Sequence, residues 1–327
     1  MKKVLKIAGF ILAGVLVLIS GLLIYVKAFL PNAEPAPELT VELTSERIER
    51  GEYLAHSIMV CMDCHSERDF SLFSGPLVDG TLGKGGEEFN ALMGFPGNFY
   101  ARNITPYNMG DWTDGELFRA ITTGVNKDGK ALFPVMPYQS YGKIDKEDIY
   151  DIIAYIRTLD PIEHDLPESA PDFPMNFIIN TIPAKAEFTK KPDTTDRVAY
   201  GKYLVTAAAC NDCHTKMEQG AYVEGMEFAG DFEFMFPSGD VTRSANITPD
   251  TGTGIGAWTE EQFVNRFKVY ADSSIALPAV QPGQFNSPMP WSMYATMKEE
   301  DLRAIYAYLQ TVTPIENLVI RYTPAAE

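Results

Sequence analysis

Cysteine, histidine and basic side chains are all scarce in this chain of 327 residues. There are four cysteines, four histidines, and 27 lysines and arginines against 44 aspartates and glutamates. The net charge of −17 argues against nucleic acid as a partner, because that affinity rests on neutralising phosphates. It argues equally against docking of the soluble part on anionic lipid. An acidic surface suits steering toward a basic protein patch, or solubility alone. No flavin, quinone-cofactor or nucleotide fingerprint occurs, and no cysteine lies near the N-terminus to carry a lipid. Convincing strands are few. What remains is ordinary globular composition, 46% apolar and 22% charged, with room for two or three domains.

The scarce cysteines are all spent on one pattern used twice, Cys61-Met62-Asp63-Cys64-His65 and Cys210-Asn211-Asp212-Cys213-His214. Cys-x-x-Cys-His is the attachment signature of c-type haem. Residues three apart on a helical turn share one side. Two thiols so placed can each add to one porphyrin vinyl group, and the histidine that follows sits under the iron. Zinc or a disulfide would use the same cysteines. Four cysteines with two histidines could make one or two zinc sites, but that leaves unexplained a methionine that recurs downstream in both copies.

The N-terminus reads Met1-Lys2-Lys3-Val4-Leu5-Lys6, followed by an uncharged apolar run over residues 7–26. Twenty helical residues span about 30 Å, the thickness of a bilayer core. Lys2, Lys3 and Lys6 precede the run and only Lys27 follows it, which places the N-terminus in the cytoplasm and the rest outside. A cleaved signal peptide has a shorter apolar region and a small-residue cleavage site. The expectation is a retained anchor at residues 1–30 and a proline-rich spacer at 31–44.

Beyond the spacer the chain repeats itself. Arg50-Gly51-Glu52-Tyr53-Leu54 is matched by Tyr200-Gly201-Lys202-Tyr203-Leu204, and Asn103-Ile104-Thr105-Pro106 by Asn246-Ile247-Thr248-Pro249. Trp112-Thr113 is matched by Trp258-Thr259, Met136-Pro137 by Met289-Pro290, and Pro161-Ile162-Glu163 by Pro314-Ile315-Glu316. The offsets stay between 143 and 153. Ile149, Ile152, Ile153 and Ile156 form a helical stripe that Leu302, Ile305, Tyr306 and Leu309 repeat. Thr113-x-x-Glu116 and Thr259-x-x-Gln262 are capping boxes that start helices. Further helices are expected from about Glu46 and Asp196 into the two cysteine motifs. Residues 161–195 join the copies; Phe173, Met175, Phe177, Ile178, Ile179 and Ile182 are too apolar to leave in water, so the middle of this segment should pack against its neighbours.

His65 and His214 each leave one axial position on an iron. His56 has no counterpart in the second copy and His164 corresponds to Asn317, so both read as surface or structural residues. Of thirteen methionines only Met136 and Met289 recur in register, 71 and 75 residues after the histidines and each before a proline. They are the expected distal ligands.

These motifs together make the chain resemble tandem class I cytochromes c, and more narrowly the multi-haem cytochrome subunits of membrane-bound alcohol and gluconate dehydrogenases. The residues that carry the likeness are the two Cys-x-x-Cys-His motifs, the Asn-Ile-Thr-Pro elements, residues 250–259, the Met-Pro loops and the Phe173-Pro174-Met175-Asn176 join. The resemblance implies an all-α architecture: a first cytochrome c domain at 45–162, a linker at 163–195, a second domain at 196–320 and a tail at 321–327. Asn103, Asn246, Trp112 and Trp258 could reach haem propionates with their N–H groups; turn chemistry serves the asparagines equally, and core packing is the better reading of the tryptophans. Arg102, whose register partner is Ala245, could make a propionate bridge in the first copy alone, or sit in solvent.

The functional expectation is a membrane-anchored carrier with two covalent haems c on the outer, periplasmic face of a bacterial inner membrane. It would move electrons between a quinol-oxidising or dehydrogenase complex and an oxidase or soluble cytochrome, without catalysis of its own. A di-haem peroxidase is the alternative, and it needs one iron with an open site. Mass spectrometry of the denatured protein should find two haems still attached, and Cys213→Ser should lose or loosen only the second.

Overall fold

The structure is a computed structural model that describes residues 1–271, 276–281 and 283–325. One helix stands apart: α1 (Lys2–Phe29), 28 residues long, with mean hydropathy 2.8 in its most apolar window and Val26 as its one buried side chain. Among the described residues it is the one helix long and apolar enough to cross a membrane. A continuous apolar surface of that size is not left in water by a soluble domain. At its C-terminal end Lys27 donates to the Asn176 carbonyl at 2.8 Å and lies 4.9 Å over the Phe177 ring, which ties α1 to the segment joining the copies.

The larger helices then repeat in order. The first copy has α2 (Ser45–Tyr53), α3 (Cys61–Cys64), α4 (Asp114–Thr123) and α5 (Lys146–Ile156). The second has α6 (Arg197–Ala207), α7 (Cys210–His214), α8 (Glu260–Lys268) and α9 (Glu299–Leu309). Both capping boxes close as expected, Thr113 with Glu116 and Thr259 with Gln262. The isoleucine stripe of α5 is buried along its whole length, as are Leu302, Ile305 and Leu309 of α9.

Glycine sets the crossing of the first and last helix in each copy. A Cβ on Gly51 of α2 would stand 1.9 Å from the Asp151 carbonyl oxygen of α5, and one on Gly201 of α6 would stand 1.9 Å from the Ala304 carbonyl oxygen of α9. Only a residue without a side chain lets the backbones approach this closely.

The all-α expectation is corrected by the segments between these helices. Only 39% of the described residues are helical. Among the described residues eight short strands form three antiparallel sheets: β1 (Glu88–Phe89), β2 (Gly97–Tyr100) and β3 (Ala170–Pro171); β4 (Met217–Glu218) and β5 (Ala221–Tyr222); β6 (Glu233–Met235), β7 (Val241–Arg243) and β8 (Tyr322–Thr323). The reason lies in strand length. Runs of two to four residues are too short to show a period-2 pattern, and the glycines around them read as turns. The tail, which looked featureless in sequence, supplies β8 and pairs with β7. The joining segment lies on the first copy: β3 extends the sheet of β2, Ile179 is buried with Phe89 and Phe99, and Phe188 packs on Phe118 at 5.3 Å. Phe173, expected inside, is 80% exposed.

The two copies face each other through reciprocal contacts, as across a two-fold axis. Tyr53 of α2 donates to Asp301 at 2.5 Å, and Tyr203 of α6 donates to Asp148 at 2.7 Å. Each tyrosine oxygen also accepts a backbone N–H at the start of the opposing last helix, from Lys298 at 2.9 Å and from Asp145 at 3.1 Å. Asp148 is fully buried and further meets Lys191 at 2.8 Å and Arg50 at 3.3 Å. Burial alone would push its carboxyl up; Arg50, Lys191 and Tyr203 outweigh burial and hold it below the usual carboxylate value.

Two outcomes follow. Gly51→Ala or Gly201→Ala should destabilise the protein by about 1–3 kcal/mol or more through overpacking, read by thermal unfolding of the holoprotein. Asp148→Asn should cost roughly 1–3 kcal/mol at pH 7, because two cations and a phenol lose their anion. A depressed folded pKa stabilises above the unfolded value of about 4 and is lost as pH falls through the folded one. The gap between wild type and Asp148→Asn should therefore close below about pH 4.

Candidate functional site

Each cysteine motif is swung away from the preceding helix by one strained residue. Val60 stands at φ +43 before Cys61, and Ala209 at φ +50 before Cys210. A β-branched residue in the left-handed region is rare and costly, yet the break recurs at the same place. The expected helices thus reach toward the motifs but stop at this kink. Beyond it the chain makes a short turn in which the His65 N–H donates to the Cys61 carbonyl at 3.1 Å. All four cysteines are free thiols, Cys213 exposed and the others partly so. Among the described residues no three His, Cys, Asp or Glu side chains converge as a metal cluster.

The histidines are held by backbone. Nδ1 of His65 donates to the Arg102 carbonyl at 2.7 Å, and Nδ1 of His214 donates to the Ala245 carbonyl at 2.8 Å. That bond sets the tautomer and leaves Nε2 with its lone pair, the arrangement of an oriented metal ligand. Burial pushes the His214 pKa down to about 4 and that of His65 down as well, so both rings are neutral at pH 7. From the other side Gly85 donates its N–H to the His65 carbonyl at 2.8 Å, and Gly230 to that of His214 at 2.7 Å. Both glycines have positive φ, and a Cβ on either would meet backbone at 2.5 Å. These two glycines repeat with an offset of 145; that repeat was the available signal, and it was missed among many loop glycines.

The asparagines act as tethers. Asn103 accepts from the Thr105 N–H and hydroxyl at 2.9 and 2.7 Å and donates to the Ile162 carbonyl at 2.8 Å. Asn246 does the same with Thr248 and the Ile315 carbonyl, at 2.9, 2.7 and 2.7 Å. Each therefore fastens the Asn-Ile-Thr-Pro turn, and with it the carbonyl that orients the histidine, to the Pro-Ile-Glu segment after the last helix. Trp112 packs partly buried against the core, while Trp258 is 36% exposed. Arg102 donates to the Pro167 carbonyl at 2.7 Å. His56 meets the Tyr155 hydroxyl at 2.7 Å, a structural contact. Met136 and Met289 sit partly buried on loops that lead into the short helices Tyr138–Tyr141 and Trp291–Tyr294.

Two arginines that the sequence did not mark converge beside the second Met-Pro loop. Arg266 and Arg321 line a cavity of about 250 Å³ with Phe73, Ser287 and Trp291. Burial and the nearby Arg266 charge both lower the Arg321 pKa. Two neighbouring cations in one cavity favour an anion there.

The donors fit covalent haem: paired thiols on one turn, and an imidazole oriented through Nδ1 with Nε2 free. Comparison with known proteins agrees. Residues 198–313 match the cytochrome c family. This stretch is a cytochrome c domain. A cytochrome c domain holds its haem c covalently, and the chain binds haem c accordingly. The whole chain is similar to the cytochrome c subunit of a quinone-dependent alcohol dehydrogenase from Gluconacetobacter polyoxogenes, 28% identical over 90% of this chain and 62% of that subunit. It is 27% identical to the fructose dehydrogenase cytochrome subunit of Gluconobacter japonicus, over 86% of this chain and 56% of that one. The chain thus spans about three-fifths of the dehydrogenase subunits it matches. A diheme cytochrome c-type protein of Cereibacter sphaeroides is 28% identical over 86% of this chain and 90% of its own length. The peroxidase alternative finds no support among these relatives.

Proposed function

We propose that the chain is a two-haem electron carrier anchored by α1, with one haem on Cys61 and Cys64 and the other on Cys210 and Cys213. The observation that carries this reading is the duplicated histidine lock. Each motif has its own carbonyl acceptor for Nδ1 and its own glycine N–H on the histidine's backbone carbonyl, at matching positions. His65 and His214 would hold the irons through Nε2, and Met136 and Met289 would supply the thioethers. Haem held by histidine and methionine would supply one-electron transfer at a raised potential and would leave no position for a substrate. Asn103 and Asn246 keep the orienting carbonyls in place, and Arg266 and Arg321, which line one cavity, would pair with propionates of the second haem. The units are residues 45–162 and 196–320, joined by 163–195.

The lysine bias around α1 puts both haem-bearing copies on the periplasmic face of a bacterial inner membrane. The relatives are named as subunits of dehydrogenases, which makes a membrane dehydrogenase or a quinol-oxidising complex the natural donor. An oxidase or soluble cytochrome is the acceptor, and the acidic surface steers toward a basic one.

Spectroscopy of single variants tests the reading. Ferric wild type should show the weak far-red absorption of sulfur-ligated haem, and the reduced protein should ignore carbon monoxide. Met136→Ala should open the first haem to carbon monoxide, and Met289→Ala the second. Rapid carbon monoxide binding by wild type, or turnover of peroxide, would overturn it.

A further inference from the structure

Asp63 and Asp212 hold the same place in the two Cys-x-Asp-Cys-His motifs, and haem attachment does not require an acid there. Both are engaged in contacts that lead to the opposite copy's Met-Pro loop. Asp212 accepts from Ser140, shortly after Met136, at 3.2 Å. Asp63 pairs at 2.9 Å with Arg68, whose side chain is 4% exposed. Arg68 in turn donates to the carbonyls of Ser74, Gly75 and Pro288 at 2.7, 2.8 and 3.3 Å.

The second of these straps is far more developed, and Ser74 is its centre. Ser74 is fully buried with φ +68. Its N–H donates to the Asn286 side-chain oxygen at 2.9 Å, and its hydroxyl donates to the Met289 carbonyl at 2.6 Å while accepting the Trp291 N–H at 2.9 Å. Asn286 answers with donations to the Phe70 and Leu72 carbonyls at 3.0 and 3.3 Å. Backbone bonds from Phe73 to Pro278 and from Val280 to Ser71, each 2.8 Å, close the seam. Phe73 of the same loop lines the arginine cavity of the second copy.

We infer that Ser74, a residue of the first copy, is a positioning residue for the Met289 thioether of the second. One hydroxyl grips the chain on both sides of the Met289-Pro290 bond, so the loop cannot rotate without breaking two buried hydrogen bonds. A weak iron–sulfur bond depends on that fixed geometry, and the oxidised second haem keeps its sulfur ligand because the first copy holds the loop. The Met136 loop is gripped across the interface by Ser140 and Asp212, with no serine pinned on both sides of its Met-Pro bond among the contacts described.

The inference rests on Met289 being a ligand, and the experiment separates the two. Ser74→Gly removes the hydroxyl where glycine adopts the positive φ without strain, and it retains the backbone N–H to Asn286. Full-length holoprotein is compared with wild type and Met289→Ala by far-red absorption, carbon monoxide binding and redox titration. Ser74→Gly should keep both haems attached, weaken the sulfur absorption of one haem, lower the potential of the second haem only, and let carbon monoxide reach one haem of the two. If Met289→Ala abolishes one haem's sulfur absorption while Ser74→Gly changes neither absorption nor potentials, the positioning role falls and the ligand stands. If Met289→Ala itself leaves the absorption intact, the ligand assignment falls and the inference with it. A change confined to the first haem in Ser74→Gly would also refute it, since the loop would then act on its own copy.

Discussion

The close crossing of the first and last helix in each copy is the constraint on which the rest depends. With 1.9 Å between an imagined Cβ and a carbonyl oxygen, α2 and α5, and likewise α6 and α9, have one relative position open to them. The first helix delivers the cysteine motif, and the last helix follows the Met-Pro loop. Fixing one against the other fixes the distance between histidine and methionine. The intervening segment has only to bring a carbonyl to Nδ1, and it does so through a turn tethered by Asn103 or Asn246 to the segment after the last helix. Crossing, lock and tether are three separate contacts, but the second and third hold the histidine in register only because the first has set the frame.

Much of this could be read before any coordinates. The cysteine motifs, the capping boxes and the isoleucine stripe are periodic or spaced signals, and the structure carries the last two as read. The repeat located Gly51, Gly201, Asn103 and Asn246 but could not say what they touch. A glycine at a crossing and a glycine in a turn look alike in sequence; only the partner backbone 100 residues away distinguishes Gly51 from Gly80, whose Cβ would meet nothing. The strands were invisible because two-residue pairings lie below the length at which alternation can be counted. Tyr53, Tyr203, Asp148 and Asp301 all repeat in register, yet their meaning lies between copies. A repeat comparison aligns the copies; it does not dock them.

The docking has an energetic logic. Tyrosine–aspartate pairs at both ends of the interface place polar groups where burial would otherwise penalise them, and each is satisfied by the opposite copy. Separating the copies would strand Asp148 with no phenol and leave the Asp145 and Lys298 N–H groups without acceptors. Such an interface tolerates little relative motion, unlike a pair of domains on a flexible tether. The joining segment reinforces this, since it lies on the first copy and contributes Lys191 to the Asp148 cluster.

Rigid docking bears directly on a carrier of electrons. A protein that ferries charge between partners gains nothing from changing shape in the act, and loses if its redox sites drift apart. Here the contacts that bind the copies are the same ones that hold the methionine loops, through Ser140 to Asp212 and through Ser74 and Arg68 to residues 286–291. Neither copy is therefore complete alone: its Met-Pro loop is held in part by the other. This accounts for an acid inside each cysteine motif that attachment chemistry leaves unexplained. It also makes the tandem, rather than the single domain, the structural unit that α1 carries.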